Sequence, residues 1–206
     1  SLSKVNEGQI LVNTSGHGVY LCDLDNGKIS RLAYERFTQL PPLAVFIDSH
    51  QRLWVATSNR CHVLVENARY PQTNSGRIDE IINYHELYSF PTKEGEMFLE
   101  DSFGNVWLST FSHNIYVLPS GASKMQSVRL DVKSGFMYVP ELHLSSSGKV
   151  MVLAFLYGIF EIDPQTFQVS YAFDIKSMID FNFYPTCMLE DASGNTWLGT
   201  NSNGVF

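Results

Sequence analysis

The chain has 206 residues, 44% hydrophobic and 13% aromatic, and a formal net charge of -7 from 21 acidic and 14 basic residues, a composition that supports a packed globular core. It has no run of like charge and no basic cluster, which excludes a nucleic-acid surface built from grouped Lys and Arg. No stretch approaches the roughly 20 apolar residues of a membrane helix, and Ser1-Leu2-Ser3-Lys4 lacks the apolar region of a signal peptide, an absence without weight if the chain is a piece of a longer one.

From the N-terminus onward one pattern recurs five times, anchored at residues 11, 54, 107, 151 and 197. The first copy (1–36) is weak, with Leu11 at the anchor, Gly8 and Gln9 before it and Thr14 after it. The second (37–90) has the runs AVFID and RLWVAT, with Asp48 six residues before Trp54 and Thr57 three after; Gln51 and Arg52 stand where the strongest copies have Gly-Asn. Its surplus of seven to ten residues falls in ENARYPQTNSGRIDEIINYHELYSF (66–90), where a short helix is predicted from Arg77 to Asn83, capped by Ser75. The third (91–135) carries the full set, Asp101, Gly104, Asn105, Trp107 and Thr110, with strands predicted at 97–100, 106–110, 115–118 and 125–130. The fourth (136–180) keeps Gly148 but places Ser145, Lys149, Met151 and Ala154 at the acid, Asn, Trp and Thr positions. The fifth (181–206) repeats the full set as Asp191, Gly194, Asn195, Trp197 and Thr200.

Anchor intervals of 43, 53, 44 and 46 residues suit propeller blades or paired-helix repeats. Short runs rich in β-branched and aromatic residues, bounded by Gly, Asn, Asp and Ser, decide for strands. The predicted fold is therefore all-β, a β-propeller of four-stranded antiparallel blades with about four and a half blades present, a fragment of a larger propeller. A motif repeated once per blade serves the fold. Asp accepts turn amides, Gly supplies positive φ, Trp fills the wedge between blades and Thr closes a strand end. On this reading Asp48, Asp101 and Asp191 are not catalytic acids.

The stretches EDASGNTWLGTNSNGVF and EDSFGNVWLSTFSHNIYVL resemble the regulator-propeller repeat of hybrid two-component sensor histidine kinases from glycan-degrading gut bacteria. The resemblance covers the whole chain as an array and is strongest in the second, third and fifth copies. It implies a periplasmic sensor propeller on the outer side of the bacterial inner membrane. An immunoglobulin-like domain, a membrane span, a kinase core and often a receiver and DNA-binding domain would follow outside this sequence. It also implies a homodimeric, membrane-spanning receptor that detects oligosaccharides to control glycan-utilisation genes.

Loops on one face of a propeller are the expected ligand site. Those after the second strands are SGHG, SNRC, FSHN, FLYG and NSNG, and those leading into the innermost strands include ERFTQLPP, SGFMYVP and IDFNFYP. Flat rings suit pyranose faces, and Arg, His and Asn supply directional hydrogen bonds. The candidates are Arg36, Phe37, Arg60, His113, Tyr138, Tyr157, Phe183 and Tyr184.

No cofactor or metal is expected. The six histidines show no ligand spacing and read as surface or turn residues, and Cys22, Cys61 and Cys187 read as small buried hydrophobes. Kinase activity would belong to the parent receptor, so this segment is expected to be no enzyme. The alternatives are a propeller hydrolase or lyase acting on glycans and a passive protein-interaction scaffold. Glu35, Glu86, Glu94 and Asp180 fall in loops of different blades with nothing in the sequence to make them converge.

Overall fold

In three of the repeats the second strand is buried at every position: β6 (Leu53–Ala56), β10 (Val106–Thr110) and β14 (Val150–Ala154). Consecutive burial requires cover on both faces, and it explains why these runs are continuously apolar rather than alternating. These strands belong to a computed structural model that describes residues 1–14, 17–38, 41–72, 78–132, 138–139, 141–155, 157–174, 185–201 and 204–206. Among the described residues there is no α-helix. The chain forms two units, residues 1–95 and 96–206.

In the first unit β1 (Leu2–Asn6), β2 (Gln9–Thr14), β3 (Gly18–Asp23) and β4 (Ile29–Ala33) make one antiparallel meander. A second comprises β5 (Ala44–Ile47), β6, β7 (Arg60–Pro71) and β8 (Glu80–Pro91). The two join into one eight-stranded sheet because β8 pairs in parallel with β4, Ser30 opposite Glu80 and Leu32 opposite Ile82. Leu11, Val19, Leu32, Val45, Leu53, Leu64 and Ile82 bury the core that both meanders share.

The predicted helix at 77–83 is a correction. Ser75 and Arg77 lie outside the described residues, and 80–83 open strand β8. Period two wins over the apparent helical spacing: Glu80 and Ile82 are buried while Ile81 and Asn83 are half-buried, and adjacent β-branched isoleucines favour a pleated backbone. The surplus residues thus lengthen the outer hairpin. Its root is clamped by buried Glu80, which pairs with Lys28 and, at 3.2 Å, with Arg69. Asp79 adds a carboxylate bond from the Ile29 amide at 2.7 Å.

The second unit contains β9 (Gly95–Glu100), β10, β11 (Asn114–Leu118) and β12 (Gln126–Arg129) in one four-stranded sheet. A second sheet has β13 (Glu141–Leu144), β14, β15 (Gly158–Ile162) and β16 (Val169–Phe173), and β17 (Pro185–Glu190) with β18 (Thr196–Thr200) forms a two-stranded ladder. The third-repeat strands lie where the sequence predicts them. Trp107, Ile115, Val117, Leu142, Val152 and Phe160 bury one core, and Met151, Leu153, Ile159, Met188 and Leu198 a second.

The repeated motif is a hydrogen-bonded turn. Asp101 Oδ1 accepts the amides of Phe103 (2.9 Å) and Asn105 (3.0 Å), while Oδ2 accepts Asn105 Nδ2 (2.8 Å) and Trp107 Nε1 (2.7 Å). Asp191 makes the same set with Ser193, Asn195 and Trp197. In the second copy Asp48 keeps the amide bonds and the Trp54 indole bond, and Arg52 Nε, 2.6 Å from Oδ2, donates where Asn does elsewhere. Gln51 adopts φ 60°, the conformation that Gly104 (76°) and Gly194 (82°) hold in the other copies. Acid and indole disappear together in the fourth copy, where the Ser145 hydroxyl takes the Lys149 amide and bonds the Ser147 hydroxyl, and Met151 has nothing to donate. The Thr role also holds: Thr14, Thr57, Thr110 and Thr200 each donate a hydroxyl to the carbonyl that ends the next turn. Trp54 and Trp107 are fully buried as expected, whereas Trp197 keeps its bond yet is 46% exposed, no described residue covering its outer face.

Candidate functional site

Strand β8 carries Ile82, Tyr84 and Glu86 at alternate positions, so the face that Ile82 buries also delivers a carboxylate. Three side chains grip it. Tyr34, at the end of β4, donates its hydroxyl to Glu86 Oε2 at 2.8 Å, His62 Nδ1 on β7 lies 2.6 Å from the same oxygen, and Ser89 adds a third bond. Ser89 in turn receives Arg60 Nη2 at 2.8 Å. Burial pushes the Glu86 carboxyl up, but the bonds from His62, Tyr34 and Ser89 outweigh it and hold the group below the ordinary carboxylate range. Glu86 is thus ionised at neutral pH and only accepts, so His62 Nδ1 carries the proton of that bond. Burial and the Glu86 charge push Tyr34 up to about 12, which keeps it a donor.

Tyr34 and Glu86 of this cluster line a cleft of about 680 Å³, within the size range of small-molecule sites. The 3-10 turn Glu35–Thr38 that follows β4 supplies Glu35, Arg36 and Phe37, and Arg31, Asn83 and Tyr84 line the rest. Arg36 Nη1 stands 3.9 Å from Glu86 Oε2. Phe37 packs edge-on against Tyr34, ring centres 5.4 Å apart. A narrower void shares Tyr34, Arg36 and Phe37 with the cleft and reaches Thr57 and His62. His62 is 1% exposed, and its Nε2 has no hydrogen-bond partner among the described residues.

Of the sequence candidates, Arg36 and Phe37 line the cleft, and Arg60 joins it at one remove through Ser89. The others belong to the second unit. Tyr138 stacks on Phe111 at 4.4 Å and 11° and sits tilted beside Phe155, an aromatic group with Phe111 41% exposed. Tyr157 accepts the Tyr171 hydroxyl on its carbonyl at 2.6 Å and packs on the core. His113 is half-buried in the turn before β11, its carbonyl taken by the Leu130 amide. Phe183 and Tyr184 lie outside the described residues.

Three expectations are corrected. His62 is a buried strand residue because β7 is covered on both faces there. Glu86 lies on strand β8, and it shares a cleft with Glu35 because the β4–β8 pairing brings two blades to one seam. Cys187 is exposed, while Cys61 is buried with its thiol pushed up by desolvation and Cys22 is half-buried. Tyr34, His62 and Glu86 escape sequence reasoning because they lie far apart in the chain: the β7–β8 hairpin brings His62 to Glu86, and only the parallel pairing of β8 with β4 brings both to Tyr34; the sole local clue is the aromatic-charged run Tyr34-Glu35-Arg36-Phe37. Among the described residues no helix is long and apolar enough to cross a membrane, and no His, Cys, Asp or Glu group could hold a metal ion.

No protein-family model matches the chain, and no curated protein sequence matches it. Solved structures do. The extracellular domain of BT4673 from B. thetaiotaomicron, described as a one-component system, superposes with a TM-score of 0.65 at 15% identity, over 99% of this chain and 26% of that one. Virginiamycin B lyase from Staphylococcus aureus, solved with quinupristin, gives 0.65 at 14% identity over 100% and 67%. The WD40 β-propeller domain of Doa1 gives 0.65 at 9% over 99% and 61%. At these identities the likeness establishes the fold, a partial β-propeller, and the chain spans about a quarter of the BT4673 domain.

Proposed function

We propose that the chain is the ligand-sensing propeller segment of an extracytoplasmic receptor, of the hybrid two-component sensor histidine kinase type. It is not itself an enzyme. Oligosaccharide bound at its cleft biases a homodimeric, membrane-spanning parent, on the periplasmic side of the inner membrane, whose kinase lies elsewhere and controls glycan-utilisation genes. The observation that carries this reading is the blade-seam cleft, where aromatic rings flank fixed hydrogen-bonding groups. The repeat motif and the likeness to an extracellular domain of a one-component system support it. A calorimetric and thermal-shift screen against plant and host oligosaccharides tests it. One glycan class that binds and raises Tm is the expected result, and no binding across the panel would reject glycan sensing.

A second reading, a glycan hydrolase, is favoured by Glu35 and Glu86 sharing one cleft. Release of nitrophenol from aryl glycosides, lost in both Glu→Gln variants, would support it; no turnover would dismiss it.

A further inference from the structure

We infer that the blade-seam cleft takes a neutral saccharide and grips it by a vicinal diol between Glu86 and Arg36. This deepens the sensing reading and rests on it. The charge of the lining sets the ligand class: two arginines, Arg31 and Arg36, face two carboxylates, Glu35 and Glu86. A wall with balanced charge gives an anionic sugar no net attraction, and Glu86, ionised and partly exposed, repels a carboxylate or sulfate brought to its side of the cleft.

What such a wall does favour is a chain of hydroxyls. Glu86 Oε2 already accepts Tyr34 and His62, so the acceptor capacity left on the carboxylate can receive one ligand hydroxyl. Arg36 lies 3.9 Å from Glu86, beyond a direct hydrogen bond, so its guanidinium remains positioned to donate to the oxygen of the neighbouring hydroxyl, and the pair of groups spans two adjacent hydroxyls. The carboxylate is held in place before the ligand arrives, by Tyr34 and His62 at 2.8 and 2.6 Å, and little ordering cost falls on binding. Phe37 and Tyr84 supply the apolar area that the flat face of a pyranose needs. Acidic oligosaccharides would be discriminated against by the same residues that hold neutral ones.

The test is titration calorimetry on the full chain with maltotriose, cellotriose, xylotriose and trigalacturonate, with any binder repeated after periodate treatment, which cleaves vicinal diols. A neutral trisaccharide should bind, and its affinity should fall at least about tenfold in Glu86→Gln and in Arg36→Met, the loss of charge-assisted bonds. Arg36 is half-exposed, so Arg36→Met keeps the test valid if Glu86→Gln fails to fold. The periodate-treated sugar should not bind, and sugar should slow deuterium exchange at 31–37 and 81–86. A trisaccharide that binds equally well to Arg36→Met, or survives periodate, would overturn the diol site and leave the sensing reading intact. Preference for trigalacturonate would overturn the neutral class. No binding by any trisaccharide would remove both.

Discussion

Replacing Asp101 by Ala should destabilise the second unit by about 4 kcal/mol. The carboxylate takes four donors. Phe103 is 47% exposed and its amide can turn to water, and Asn105 Nδ2 retains the Pro164 carbonyl at 3.0 Å. Two buried donors, the Asn105 amide and Trp107 Nε1, are then left without a partner, at about 1–3 kcal/mol each. Asp191→Ala removes the same bonds in an exposed turn and should shift the urea midpoint far less. Urea denaturation followed by tryptophan fluorescence would measure both, and a cycle with Trp107→Phe should return a coupling of about 1–3 kcal/mol between acid and indole. Equal losses for Asp101→Ala and Asp191→Ala would refute the argument that burial, rather than bond count, sets the cost.

Three other outcomes follow from the geometry. Gln51→Gly should stabilise by about 0.5–1 kcal/mol by relieving a left-handed residue at φ 60°, read as a raised urea midpoint. Glu80→Ala should cost about 1–2 kcal/mol, since Lys28 and Arg69 are exposed enough to rehydrate, and should speed hydrogen exchange at the Leu32 amide. Burial raises the Glu141 carboxyl above its ordinary 4.5, against the Met188 amide that bonds it. The folded protein therefore holds that proton more tightly than the unfolded one. The ionised group opposes folding at neutral pH, and the penalty fades as pH falls through the raised value towards 4.5. Glu141→Gln should then raise Tm at pH 7 and leave it unchanged near pH 4; a gain that persists at acid pH would point to another cause.

The repeat was legible because its residues act within a single turn. Asp101, Gly104, Asn105 and Trp107 span seven positions, and their spacing alone encodes the bonds they make. Arg52 shows the limit: its side chain replaces Asn by reach rather than by similarity, which no residue-by-residue comparison suggests. The cleft was half legible. Arg36 and Phe37 come from a loop with a visible aromatic-charged pattern, whereas Glu86 and His62 meet in the long β7–β8 hairpin and reach Tyr34 and the cleft only when β8 crosses to β4. Mistaking the start of β8 for a helix concealed that crossing, and with it the shared wall of Glu35 and Glu86.

The crossing also sets an order of assembly. Ser30 waits for Glu80, so the outer edge of the first blade is open until some fifty further residues have been made. Nascent chains arrested before β8 leaves the ribosome should therefore be protease-sensitive throughout, and those that extend past residue 95 should become resistant in both blades at once. Protection of the first blade in the shorter chains would show that it closes alone. Until β8 arrives, the unpaired β4 edge is open to the β8 segment of another chain, and exchange of that hairpin between two molecules is the misassembly this topology invites.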